Sequence, residues 1–142
     1  MQKITPFLWF DNNAEDAMKF YTSIFKNSKI ISENRFELEG QEFLVLNGGP
    51  YFKFNEAISM FIDCKDQAEV DLYWNALLAD GGAPSQCGWL KDKFGMSWQV
   101  IPSILGEYLN GSDKEKSGRV MDAMMKMVKI DVEALKNAYE GK

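Results

Sequence analysis

Along the chain, short apolar runs give way to longer segments of helical period, and this succession occurs twice. The run over residues 4–10 stops at Asp11, after which Ala14, Ala17, Met18, Tyr21, Ile24 and Phe25 recur at the spacing of one helix face. Residues 59–62 stop at Asp63, and Val70, Tyr73, Trp74, Leu77 and Leu78 follow in the same way. A shift of 52 positions lays Phe7-Leu8-Trp9-Phe10-Asp11 over Ser59-Met60-Phe61-Ile62-Asp63, and Phe20-Tyr21 over Leu72-Tyr73. Internal similarity of this kind predicts two copies of one unit, each a strand followed by a helix.

The helices have legible starts. Asn12 or Asn13 precedes Glu15 and Asp16, and Asp66 precedes Glu69, which places acids where the helix N-terminus favours them. Asp11 and Asp63 invite a reading as paired acid/base or cation-holding carboxylates; at a strand-to-helix junction the expected role is to satisfy turn or helix amides. Gly81-Gly82 is expected to end the second helix. Extended segments are predicted over residues 30–38 and 43–46 around Glu39-Gly40-Gln41, over 51–54 after Gly48-Gly49-Pro50, and over 86–90 and 96–101 around Lys93-Phe94-Gly95. The sum is two βαβββ-like units with one strand poorly marked. Beyond Pro102, residues 106–116 are polar. Val120, Met121, Met124, Met127 and Val128 then recur at helical spacing, and Asp131 opens a last helix through Leu135 and Tyr139.

Composition excludes several chemistries. The 142 residues contain no histidine, which removes triads, Cys-His pairs, imidazole metal ligands and imidazole proton shuttles. A net charge of -5 disfavours binding to a phosphate backbone, so no nucleic-acid partner is expected. The 4–10 run is too short for a signal segment or a membrane span, which predicts a cytoplasmic protein with no membrane partner and with Cys64 and Cys87 as free thiols. Glu33, Glu37 and Glu39, interrupted by Arg35, read as a solvated face.

Four segments together resemble a known family: PFLWFDNNAEDAMKFYTSIF (6–25), LNGGPYFKFNEAISMFIDC (46–64), YWNALLADGG (73–82) and QCGWLKDKFGMSWQVIP (86–102). They are similar to the PhnB-like group, often labelled demethylubiquinone methyltransferase-like. That group belongs to the vicinal-oxygen-chelate superfamily of glyoxalases, bleomycin-resistance proteins and extradiol dioxygenases. The resemblance implies an α+β fold of two βαβββ modules in a single glyoxalase-like domain, commonly dimeric. Module one is then residues 1–55, module two 56–102, and a C-terminal helical extension spans 103–142. The stretch between Ile31 and Phe43 is shorter than the group's usual excursion there. In the superfamily's metalloenzymes a ligand sits early on the first strand of each module and a carboxylate on the last strand. Those positions fall here on Thr5, Ala57 and Gln99, or on Pro6 and Ile58 one residue along, which is not a set that transition metals select. No metal and no cofactor are expected, and the methyltransferase label lacks the glycine-rich strand-to-helix turn of a nucleotide site.

Strand alternation puts Thr5, Phe7 and Trp9 on one face, matched by Ala57, Ser59 and Phe61, with Ser97, Gln99 and Ile101 as the corresponding set on the last strand. With Asn47, Cys87 and Trp89, the candidate lining is Phe7, Trp9, Asn47, Ser59, Phe61, Cys87, Trp89, Ser97 and Gln99. It suits a small planar or hydrophobic molecule held by a few neutral polar groups. The same face is equally readable as core or as dimer interface. Cys87, placed on a strand, is a potential thiolate only beside a cation such as Lys91 or Lys93, and otherwise a small buried hydrophobe. The expected function is metal-independent small-molecule binding. The alternatives are an isomerase- or lyase-type enzyme and a homodimeric scaffold with an occluded cup. Open sheet edges and the methionine stripe lead to the expectation of a homodimer.

Overall fold

The computed structural model describes residues 2–142. The chain divides into two compact units, one ending at Phe54 and one running Asn55–Lys142. Unit one holds β1 (Phe7–Phe10), α1 (Ala14–Ile24), β2 (Ser28–Ser32), β3 (Arg35–Leu38) and β4 (Gln41–Asn47). Unit two holds β5 (Met60–Cys64), α2 (Gln67–Leu78), β6 (Ala83–Pro84), β7 (Trp89–Lys91) and β8 (Ser97–Pro102). The extension follows as α3 (Ser103–Leu109), α4 (Lys114–Met124) and α5 (Val132–Glu140).

Both sheets have one topology, β1-β4-β3-β2 and β5-β8-β7-β6. In each, the strand before the helix pairs parallel with the last strand, and the remaining pairs are antiparallel. The 52-residue repeat is therefore two βαβββ modules, and the fold is α+β with a C-terminal helical extension.

Each helix covers one sheet face through the residues its period selects. In unit one Ala14, Ala17, Met18 and Tyr21 are buried, and Tyr21 stacks on Phe36, which stacks on Phe43. Aromatic burial of this kind stabilises by roughly 1.5–3 kcal/mol per side chain. In unit two Val70, Trp74 and Leu77 are buried, on a helix that packs on β7 and β8, where Leu90, Trp98 and Val100 are buried. Gly82 follows α2 because the chain passes so close to it that a Cβ would lie 2.7 Å from Leu78 Cα.

Several expectations fail for identifiable reasons. Residues 30–38 form a hairpin, not one strand, because Ser32 and Asn34 bond to each other at 2.8 Å across a turn that contains no glycine or proline. Residues 51–54 form no strand; Phe52 packs edge-on against Trp9 and Phe54 against Phe10. The strand expected over 86–90 begins at Trp89, because Cys87 and Gly88 are left-handed, with φ of 58° and 85°. Neither Asp11 nor Asp63 caps a helix. The Ala14 N–H of α1 donates to Asn47 Oδ1 at 3.0 Å, Asp66 caps α2 by accepting from the Glu69 N–H, and Asp63 accepts from the Ser103 hydroxyl at 2.6 Å. The polar reading of residues 106–116 hid α3, whose Ile104, Leu105, Tyr108 and Leu109 lie at helical spacing around Gly106.

The extension has its own core of Leu105, Val120, Ile130 and Leu135, joined to Ile101 of β8. Tyr108 stacks on Tyr139 at 4.3 Å, and Arg119 closes the end of α5 by donating to the Ala138 and Tyr139 carbonyls. The methionine stripe splits. Val120 is buried, Met124 and Met127 pack partly on this core, and Met121 and Val128 are exposed. No helix among the described residues is long and apolar enough to cross a membrane.

Candidate functional site

In unit two, strand register decides which side chains share a face. Phe61 and Trp89 both pair with Gln99, and Lys91 pairs with Ser97, so these five lie on the sheet face opposite Leu90, Trp98 and Val100. Phe61 is 59% exposed, whereas Trp89 and Gln99 are half-buried. Gln99 Nε2 donates to Ser59 Oγ at 2.9 Å, a bond that does not use the Gln99 carbonyl oxygen. Ser97 is 1% exposed, and its hydroxyl has no hydrogen-bond partner among the described residues. Leaving such a group unpaired costs about 1–3 kcal/mol. Lys91 pairs with Glu56, and the Lys91 ammonium holds the Glu56 carboxyl below the usual carboxylate range. That ion pair was not foreseen, although Lys91 alternating with Trp89 carried the signal.

In unit one, Phe7 and Trp9 pair with Leu44 and Leu46, on the face opposite Leu8 and Phe10. Trp9 is held on three sides. Its Nε1 donates to the Gly49 carbonyl at 3.0 Å, Phe52 meets it edge-on at 4.9 Å, and Gly48 lies so close beneath the indole that a Cβ would fall 2.3 Å from the ring. Phe7 remains 55% exposed.

Two candidates sit elsewhere than expected. Asn47 pairs with Phe10 and not with the Trp9 face, and its side-chain oxygen is engaged at the start of α1. Cys87 lies in the turn before β7, where its N–H donates to the Met127 carbonyl. Neither cysteine is in a disulfide. Burial, with help from Glu69 and Asp63, pushes the Cys64 thiol up to about 12, so it is protonated at neutral pH and is no nucleophile.

The metal-ligand positions of the superfamily do not fit a metal here. Thr5 donates to the Gln2 carbonyl, Ala57 has no side-chain donor atom, and Gln99, whose Nε2 donates to Ser59, offers only an uncharged amide oxygen. Transition metals select imidazole, thiolate or carboxylate. No cluster of three or more Cys, Asp or Glu occurs among the described residues. The strand-to-helix connections, Asp11-Asn12-Asn13 and Lys65-Asp66, contain no glycine with which to cradle a nucleotide.

Paired βαβββ modules with an aromatic, sparsely polar sheet face define the class. Residues 2–36 and 31–101 match the 3-demethylubiquinone-9 3-methyltransferase family, the two pieces meeting in the β2–β3 hairpin, and the chain belongs to that PhnB-like family. A Bacillus cereus PhnB protein is 36% identical. The match covers 71% of this chain and 99% of that one, with a TM-score of 0.65. A Pseudomonas aeruginosa protein shares the fold at 19% identity, over 72% of this chain and 98% of that one, with a TM-score of 0.58. A hypothetical protein of Staphylococcus aureus does so at 15% identity, over 69% and 91%, with a TM-score of 0.51. No curated protein matches. The extension lies beyond the family match.

Proposed function

We propose that the protein binds a small, flat, largely apolar molecule on the β5–β8–β7 face, oriented by neutral hydrogen-bonding groups and without a metal. The observation that carries this reading is the company Phe61 keeps. A phenyl ring left 59% exposed shares its face with half-buried Trp89 and Gln99. Rings at such a face supply apolar contact area, and a few convergent polar groups set orientation. The Ser59–Gln99 pair adds an amide carbonyl and a hydroxyl that carry no net charge. Metal independence rests on donor chemistry, because Ala57 offers no ligand and Gln99 offers only an amide. Methyl transfer, the activity in the family's name, draws no support from the glycine-free strand-to-helix connections.

Two probes that differ by one hydroxyl test this. Titrating 1-naphthol and naphthalene against tryptophan fluorescence should give saturable quenching by both. Gln99→Leu should weaken 1-naphthol about fivefold, the worth of one hydrogen bond, and naphthalene less than twofold. Equal losses for the two probes, or no saturable signal from the unaltered protein, would refute the reading.

A further inference from the structure

Trp89 is placed by the two residues before it, and these carry the unusual backbone of unit two. Cys87 and Gly88 are consecutive left-handed residues, with φ of 58° and 85°. A side-chain-bearing residue in that region costs roughly 1–3 kcal/mol and persists only where its surroundings hold it. On one side, β8 holds the turn, with the Val100 N–H donating to the Gly88 carbonyl at 2.8 Å. On the other, the extension holds it. The Cys87 N–H donates to the Met127 carbonyl and the Gly88 N–H to the Val128 carbonyl, both at 2.8 Å. The fit allows no side chain, since a Cβ on Gly88 would lie 2.8 Å from Ile101 Cδ1 and 3.0 Å from Ile130 Cγ1.

The 127–130 segment is itself latched to the module. Gln67, the first residue of α2, donates from Nε2 to the Ile130 carbonyl at 3.1 Å and accepts the Val132 N–H at Oε1 at 2.7 Å. Beside it, Lys129 pairs with Asp71 at 2.7 Å, and Gln67 Nε2 also reaches Asp71 at 3.0 Å. These contacts keep the Asp71 carboxyl below the usual carboxylate range. An open groove of about 690 Å³, lined by Gln67, Asp71, Lys129 and Ile130 among others, lies over this latch. Physical contacts thus run from α2 through residues 127–132 to Cys87-Gly88 and on to Trp89.

We propose that the C-terminal extension is a brace for the ligand face, and that Gln67 is the positioning residue that latches it so that the Cys87-Gly88 turn holds Trp89 in place. Its effect on binding rests on the reading of that face given above; its effect on Trp89 does not. Gln67→Met, which keeps the length of the side chain and removes both latch bonds, tests the brace in the full-length chain. The expected result has three parts. The Cys87 and Gly88 amides exchange with solvent about tenfold faster, as the loss of one or two hydrogen bonds requires. The Trp89 indole N–H resonance, assigned by Trp89→Phe, shifts or broadens while that of Trp98 stays in place. The affinity for 1-naphthol falls several-fold.

A merely structural role for Gln67 would lower the melting temperature without separating Trp89 from Trp98. Unchanged exchange at Cys87 and Gly88 with faster exchange at Val132 would overturn the proposal. If Gln67→Met does not fold, the unaltered chain decides. Exchange of Cys87 and Gly88 in step with Val132 supports the brace, and free exchange at Cys87 and Gly88 with protection at Val132 overturns it. A chain that fails to bind 1-naphthol removes the binding reading alone, since the amide and indole measurements still decide the brace.

Discussion

The two modules share a topology and differ in nearly every polar lock that holds it. Module two starts its helix locally. Asp66 accepts from the Glu69 N–H, and the Glu69 carboxylate accepts from the Lys65 N–H, one residue before the amide that a capping box would use. Module one has no side-chain cap from Asn13; its first free amide, on Ala14, is satisfied by Asn47, 33 residues away at the end of β4. The closing hairpins differ in the same way. In module two the β7–β8 turn is built on Asp92, which is 3% exposed and accepts from the Phe94 and Met96 N–H groups and from Trp98 Nε1. In module one the β3–β4 turn is made by Glu39 and Gly40, left-handed at φ of 49° and 85°. The repeated part is the apolar pattern, which specifies strand, helix and face. The polar locks are particular to each copy, so each can be broken alone.

The hairpins should show the largest contrast. Asp92→Ala strands three donors at once, two of them backbone amides in a closed turn. It should cost about 3–4 kcal/mol, because each unsatisfied buried donor costs about 1–3. Gly40→Ala in the equivalent turn of module one meets nothing within 4 Å, so only the positive φ opposes it, and it should cost about 1 kcal/mol. Urea denaturation measures both. Similar losses would mean that the two turns are supported alike after all.

The helix starts come next. Asp66→Ala and Asn47→Ala should each cost about 1 kcal/mol, the usual worth of an N-cap. Where the loss is felt separates them. Asp66→Ala should speed amide exchange at Glu69, within three residues of the change, while Asn47→Ala should speed it at Ala14, on a different element. A change at Asn47 that leaves Ala14 protected would assign the cap of α1 to another group.

The apolar part of this architecture was legible in the sequence, because a buried face repeats at the period of its element. Helical period marks Tyr21 and Trp74 as core positions, and strand alternation with the 52-residue offset puts Phe61 and Gln99 on corresponding faces, with Trp89 added as a candidate lining residue. Polar roles were not legible, because they depend on partners that the pattern does not identify. Asn47 read as a lining group, yet at a strand end one residue of register changes the face, and it lies with Phe10. Asp92 drew no attention, since an aspartate at a turn is ordinarily solvated; its burial follows from Trp98 reaching back to it. Gln67 reaches Val132 across 65 residues, a separation over which spacing carries no signal. The candidate face was therefore foreseen in its aromatics, whereas its bracing was not foreseen at all.

The smallest effect concerns the thiols, and module one, which lacks cysteine, makes labelling a report on module two alone. Cys64 is fully buried, and burial raises its pKa to about 12. At pH 8 only roughly one thiol in ten thousand would be thiolate, the species that alkylates. Cys87 is half-buried in the turn before β7. Native protein treated with iodoacetamide at pH 8 should therefore take up one label per chain, at Cys87, and a second only in denaturant. The raised pKa also sets a sign. The native state keeps the Cys64 proton where the unfolded chain has lost it, so this stabilising contribution is complete below the ordinary thiol pKa and is lost as pH rises towards 12. Cys64→Ala should remove that part of the alkaline slope and leave the neutral-pH labelling of Cys87 unchanged. Two labels on the native chain would mean that the β5 end of module two opens far more readily than its buried face implies.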